Sequence, residues 1–327
     1  MFRIHYLLTI SVTILIFACS TNRNPISTKP EVFEPNYRLA DYQFVRNRFF
    51  FVDEFYAADF ENSLDTSRMA LQLNPSNFLR QLDVWKSTLR FPPLDESIVA
   101  IAGVQPETLT QASESIPGEI EKSRFRRLIE GEDYKVNYER GYFWSINQII
   151  FPDIIAVAFK TDTRKVGMLH QEIDSVITDT SYALLKLIKP EGPPNPQYPT
   201  WDLTMQNVYN LGGTDISGKT LDVRIFLSVT GEDKQVDDNS NKTYNFLIGL
   251  DRLNEFNEVG SGDGKIDLNL DYIFDLKNGY LVFPSRTPFN PGNKFNFNPE
   301  YHVDIYQTTD YTLQRMESKF EIGIRLD

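Results

Sequence analysis

Three histidines, one cysteine and scattered carboxylates are the residues of this 327-residue chain whose types could carry chemistry. Catalysis needs a nucleophile, a base or a metal within reach of one another. His5 lies in an apolar N-terminal segment, while His170 and His302 sit in alternating stretches that read as strands. A satisfied strand histidine fits that setting better than a general base. Neither a Gly-x-Ser-x-Gly elbow nor a His-Glu-x-x-His zinc motif occurs. Gly260-Ser261-Gly262-Asp263-Gly264-Lys265 looks like a phosphate-cradling loop, but Ile266 stands where Ser or Thr is needed and Val259 where Gly is needed. The carboxylate pairs Glu132/Asp133 and Asp237/Asp238 lie in acidic loops, where such pairs are common. The chain is therefore expected not to be an enzyme, and no cofactor other than a metal ion is expected.

Ion chemistry has one candidate. Between Asp251 and Asp271 the chain carries Asp251, Asn254, Asn257, Asp263, Gly264, Asp267, Asn269 and Asp271. Calcium takes six to eight oxygens from carboxylates, amides and carbonyls on a bent loop. Asp251, Asp263, Asp267 and Asp271 are the candidate Ca2+ ligands. Asp263-Gly264-Lys265-Ile266-Asp267 copies the middle of an EF-hand loop, but Val259 and Ser261 occupy its first two ligand positions. The competing reading is a solvated Asn/Asp/Gly turn between strands, which needs no metal.

The single cysteine excludes an internal disulfide and a cysteine-based zinc site. Its surroundings suggest another role. Arg3 and His5 precede the apolar run Tyr6–Phe17, which is shorter than the ~20 residues a spanning helix needs. That fits the core of a secretory signal. Ile16-Phe17-Ala18-Cys19 then resembles the lipobox of bacterial lipoproteins, in which the cysteine is acylated and becomes the first mature residue. The resemblance implies a signal peptide over 1–18 and lipidation at Cys19. Ser20, rather than Asp, points to the outer membrane by analogy with enteric lipoproteins. Residues 19–40, with Pro25, Pro30 and Pro35, read as a flexible tether.

Composition narrows the class further. Hydrophobic residues make up 41% and aromatics 13%, which is too apolar for a disordered chain. With 33 basic against 45 acidic residues the net charge is -12, so no nucleic-acid partner is expected. Helical periodicity is not sustained anywhere. Short apolar runs separated by Gly, Pro, Asn and Asp predict a mainly β fold of antiparallel, sandwich-like sheets with few short helices. Residues 41–60 are expected to form a buried aromatic strand pair. Strands are also expected at 69–73, 82–89, 98–102, 182–188, 244–250, 280–283, 301–306 and 320–324, with the cleanest alternation at Leu221–Val229. Hairpins are expected at 125–138, 134–146 and 154–170, and a short helix within 200–211. Five prolines in 190–199 suggest a linker between a β-rich domain at 41–189 and a second β domain at 200–327.

A family resemblance covers roughly the last two hundred residues. Its words are Leu128-Ile129-Glu130-Gly131-Glu132-Asp133-Tyr134 with Gly141, Ile154-Ile155-Ala156-Val157-Ala158-Phe159, and Leu184 to Lys189. Next come Thr200 to Gly212, Gly249-Leu250-Asp251, Asp263-Gly264, and Gly279 before Phe283-Pro284 and Pro288-Phe289. In order and spacing these resemble the SprA family, the large outer-membrane translocon of type IX secretion in gliding Bacteroidota. Residues 40–125 resemble it only through Leu73-Asn74-Pro75 and Leu82-Asp83-Val84-Trp85. Members of that family carry a huge lipid-facing β-barrel, for which this chain has no matching strand series.

The resemblance implies a lipid-anchored SprA-type β module of the cell envelope, with the membrane and envelope proteins as its partners. Its expected role is a non-catalytic accessory or scaffold in type IX secretion or gliding motility, on either the periplasmic or the surface face. A glycan-binding surface lipoprotein is the alternative, with Trp85, Trp144 and Trp201 as candidate platforms. A non-functional fragment of a split SprA-like gene is another.

Overall fold

A computed structural model of the protein describes residues 33–88, 97–176, 181–229, 231–297 and 305–326. The expected signal peptide, Cys19, His302 and the first residues of the strand expected at 301–306 lie outside them. The fold is mainly β, with 33% strand and 13% helix, as composition and turn spacing anticipated.

The first sheet joins the two ends of the described chain. Strands β1 (Tyr37–Ala40), β18 (Phe320–Leu326), β14 (Leu221–Val229) and β15 (Glu232–Lys234) lie in that order, all antiparallel. The alternation read in β14 places Leu221, Val223, Ile225 and Leu227 on its core face, beside Ile322 and Ile324 of β18. Packed over that face is a small sheet of β13 (Val208–Asn210), β17 (Tyr280–Val282) and β16 (Phe274–Asp275). Two sheets facing each other through interdigitated apolar side chains make the sandwich.

The residues carrying the most specific resemblance pack on one another here. Tyr209 meets Phe283 at 5.3 Å between ring centroids, Phe283 meets Phe289 at 5.5 Å, and Asn207 donates to the Phe283 carbonyl at 2.6 Å.

The opposite face of β13 and β17 presents Val208, Tyr280 and Val282 to a second core. That core is strongly aromatic. It is built on β2 (Phe49–Phe51), β9 (Tyr142–Ser145) and β8 (Tyr134–Asn137), with Phe50 tilted on Phe143 and Phe49 stacked on Trp144. Gly141 turns β8 into β9 at φ +62°, and a Cβ there would lie 2.1 Å from the Tyr56 ring.

The largest sheet closes on itself. Strands β5 (Gln81–Ser87), β7 (Ile120–Arg127), β6 (Ser97–Gly103), β12 (Ala183–Lys189) and β10 (Ile155–Lys160) are hydrogen-bonded in sequence, and β10 pairs back onto β5. Only the β12–β6 pair is parallel. Short β11 (Lys165–Val166) extends β10 at one end. The closed tube is narrow, and its lining shows why: Ala100, Ala102, Ala156, Ala158 and Ala183 leave room for Trp85 and Phe125. Ile155, Val157 and Phe159 point outward from β10 into the aromatic core. The run 154–159 is therefore apolar at every position because both of its faces are buried.

Several elements depart from the sequence reading. Residues 54–62 form helix α1 (Glu54–Asn62) instead of a strand, capped by Asp53 accepting from the Phe55 amide at 3.0 Å. The aromatic residues of 41–60 are nevertheless buried, apart from Phe55 at 41% exposure. Residues 69–73 contribute only β4 (Ala70–Leu71), which pairs with β3 (Leu64–Asp65).

His170 opens helix α2 (His170–Val176), and Leu169 just before it and Ile173 within it pack against Trp85 and the tube's alanines, so it is not a strand histidine. Residues 244–247 form helix α3 (Tyr244–Leu247), capped by the Thr243 hydroxyl, where a strand was expected. Strands β7 and β8 belong to different sheets and do not form a hairpin. The helix expected within 200–211 is a 3-10 turn at Pro199–Leu203 followed by β13. Near the C-terminus, helix α4 (Tyr311–Glu317) leads into β18.

The expected division at 190–199 is corrected as well. Residues 35–327 form one compact unit, and the aromatic core takes Leu203, Met205 and Val208 together with Phe49 to Val52. The tether is shorter than 19–40, because Tyr37–Ala40 are hydrogen-bonded to β18.

Candidate functional site

The Asp251–Asp271 loop is held by its own backbone. Asp251 accepts from the amides of Asp263 at 3.0 Å and Gly264 at 3.1 Å. Asp267 accepts from Arg252 at 2.6 Å and Leu253 at 3.2 Å. Asp263 accepts from Lys265 at 2.9 Å, and Asp271 is exposed. No three His, Cys, Asp or Glu side chains converge to hold a metal ion among the described residues. Asp251, Asp263, Asp267 and Asp271 are thus not brought together as a calcium ligand set. The carboxylates act as turn clamps, the use Asp makes of its oxygens in loops.

Burial raises Asp251 above the usual carboxylate range and Asp267 to about 6, with Asp251 and Asp263 adding to the rise at Asp267. A carboxyl whose folded pKa exceeds its unfolded value of ~3.9 binds more protons when folded. Stability should therefore fall as pH rises from about 4 to about 6. Asp267→Asn keeps an acceptor for both amides and should flatten that slope. Urea denaturation at pH 4.5 and 6.5 checks it, and an unchanged slope in the variant counts against the assignment.

A groove near the proline-rich segment is built differently. It has a volume of about 240 Å³, and its walls come from residues 44–47, 193–194, 201–206 and 309–314. Lys189, buried at the end of β12, donates to the carbonyls of Asp153 at 2.7 Å, Pro190 at 3.1 Å and Gly192 at 3.3 Å. Burial lowers the Lys189 pKa. Three carbonyls around one ammonium fix the start of the segment, so Pro193 and Pro194 form a set wall instead of a loose link. Trp201, on the 3-10 turn, is half-buried against the same space.

Arg46 forms the far wall. Its Nη2 donates to the Tyr42 carbonyl at 2.9 Å and to the Gln314 side-chain oxygen, and its guanidinium lies 4.6 Å over the Phe44 ring. Gln314 is held in turn by the carbonyls of Ile305 and Thr308, both at 2.7 Å. Partial burial lowers the Arg46 pKa.

An open depression of about 480 Å³ beside β11 is lined by Val166, Met168 and Leu184. Its Lys165 and Glu172 pair with each other at 2.7 Å. The expected aromatic platform of three tryptophans is absent: Trp85 is fully buried and Trp144 is 9% exposed, so only Trp201 reaches a concave surface. His170 tilts against Trp85 at 5.9 Å between ring centroids, and its backbone N–H donates to Asp83 at 2.9 Å.

Arg46 and Asn47 drew no notice in the sequence, where each is an ordinary polar residue, and Gln206 entered only as part of the Thr200–Gly212 stretch of the resemblance. The fold alone brings them together. Among the described residues no helix is long and apolar enough to cross a membrane. Comparison with known proteins finds no matching family model and no matching curated protein.

Proposed function

We propose that the chain is an outer-membrane-anchored lipoprotein, held through Cys19, whose SprA-type β module serves type IX secretion or gliding motility. It acts by protein–protein contact as a non-catalytic accessory or scaffold. Helix α4 carries the reading. It buries a polar residue, Gln314 at 1% exposure, and turns its apolar ones outward: Tyr311 at 54%, Leu313 at 48% and Met316 at 68%. That inverts the arrangement of a helix packed on its own core. Exposed apolar clusters of this kind mark contact surfaces. Ile150 and Phe151, consecutive in the loop before β10, add a second exposed apolar pair.

Two experiments test the proposal. Full-length tagged protein should recover a secretion or motility component from envelope extract. A Leu313→Asp/Met316→Asp variant should recover at least tenfold less, at an unchanged melting temperature. Recovery of no such component, together with normal secretion in a deletion strain, would overturn the role. For the anchor, Cys19→Ala should move the protein from the membrane to the soluble fraction and abolish palmitate labelling. An unmoved, still labelled variant would sink the anchor alone.

A further inference from the structure

We propose that the groove between Trp201 and Arg46 binds an acidic sugar residue, its ring on the indole and its carboxylate on the guanidinium. The inference does not depend on the reading through α4, since it uses the concave side of that region.

Three observations converge. First, Arg46 is the only charged side chain lining the groove among the described residues, and none of their carboxylates pairs with it. Its Nη2 is committed to Tyr42 and Gln314, but its Nε and Nη1 donate to nothing among the described residues. A half-buried cation without a counter-charge is costly. A ligand carboxylate would supply the missing partner in the forked geometry Arg favours.

Second, Gln206 is 8% exposed and lines the groove, and its amide has no hydrogen-bond partner among the described residues. Its amide oxygen and nitrogen are open to solvent in the groove, where a ligand's polar groups can reach them. The side chains of Asn47 and Thr204, on the same wall, also lack hydrogen-bond partners among the described residues. Amides and hydroxyls both donate and accept, which matches a ligand whose hydroxyls do the same.

Third, Trp201 gives one flat apolar face at the mouth of a polar space. An aromatic body with a polar rim suits a ring that has C–H groups on one side and hydroxyls at its edge. At about 240 Å³ the groove lies below the ~300–1,000 Å³ of drug-sized pockets, which limits the occupant to one or two rings. Arg46 requires one of them to be charged. Because Lys189 holds the proline wall in place, the site is formed before any ligand arrives, and little ordering cost remains.

The test uses the full chain in detergent, titrated calorimetrically with glucuronate, glucose and acetate. Glucuronate should bind at least tenfold more tightly than either of the others. Gln206→Ala breaks no internal hydrogen bond and should weaken glucuronate at least threefold at an unchanged melting temperature. Trp201→Ala should weaken it at least tenfold, and if that variant unfolds, Gln206→Ala carries the test. Arg46→Lys keeps the charge but loses the fork, and should narrow the preference for glucuronate over glucose.

Equal binding of glucuronate and acetate, or unaltered binding in Gln206→Ala, would overturn the proposal. So would binding of a peptide with a free C-terminal carboxylate without any response to glucuronate. That outcome would assign the groove to a protein segment.

Discussion

Trp85→Ala is expected to destabilise the fold by about 3–5 kcal/mol, the cost typical of emptying a large aromatic site in a core. The high end of that range is anticipated because of what surrounds the ring. Trp85 is fully buried inside the closed sheet, and its nearest strands contribute Ala100, Ala102, Ala156, Ala158 and Ala183. Alanines cannot swing inward to fill the space, and the hydrogen-bonded ring of strands cannot collapse without breaking pairs. Residual cavity volume sets the penalty in such series. Trp85→Phe should cost much less, since the indole N–H has no partner to lose. Urea unfolding of both variants decides the point. Similar losses in the two would mean that the tube does relax around the missing ring.

Asp53→Ala is the second large loss, again about 3–5 kcal/mol. The Asp53 side chain is buried and does three jobs. It caps α1, it accepts both arms of the Arg164 fork at 2.8 and 2.9 Å, and it lies 3.8 Å from the Lys186 ammonium. Lys186 is itself buried, with Glu54 at 2.6 Å as its closer partner. Deleting Asp53 leaves the buried Lys186 and the half-exposed Arg164 facing one half-exposed carboxylate, Glu54, and the buried ammonium that loses a partner carries most of the cost. Asp53→Asn keeps an oxygen for the Phe55 amide and should recover about 1 kcal/mol, the worth of a helix cap. Equal destabilisation by Ala and Asn would place the whole effect on charge and none on the cap.

Sequence pattern foretold the strands wherever one face is wet. Leu221–Val229 alternates because one side of β14 meets the sandwich core while the other carries the half-buried Asp222, Arg224 and Ser228 around a buried Phe226. It foretold β10 and β12 as apolar runs for the opposite reason, burial on both sides. Helix α1 was misread because Phe55, Tyr56 and Phe60 look like strand residues. The signal lay in Asp53, a cap ahead of Tyr56, Ala57 and Phe60 at helical spacing. Helix α3 is a single turn, too short to show any period, and Thr243 was its only cue.

Closure of the large sheet depends on β10 pairing with β5, a contact between distant segments that no local window contains. The groove is harder still to see in advance. Arg46, Pro193, Trp201, Gln206 and Gln314 come from four stretches of chain, and nothing in any one stretch refers to another. The calcium reading turned on a local ambiguity. Asp and Asn at turn spacing serve backbone amides as well as they serve ions, and here Asp251 and Asp267 serve the amides.

The pairing of β1 with β18 bears on the order in which the chain can finish folding. Arg38 reaches Glu321 across 283 positions of sequence, so the first strand has no partner until the last one exists. A chain made from its N-terminus onward therefore holds Tyr37–Ala40 unpaired until Phe320–Leu326 has been made, with β14 exposing the edge that β18 will occupy. Contacts of such separation form late and slowly. An unfilled sheet edge is also open to pairing with the wrong chain. The final seven-residue strand thus works as a latch, and until it closes the sandwich is a half-built surface suited to escort by a holding chaperone.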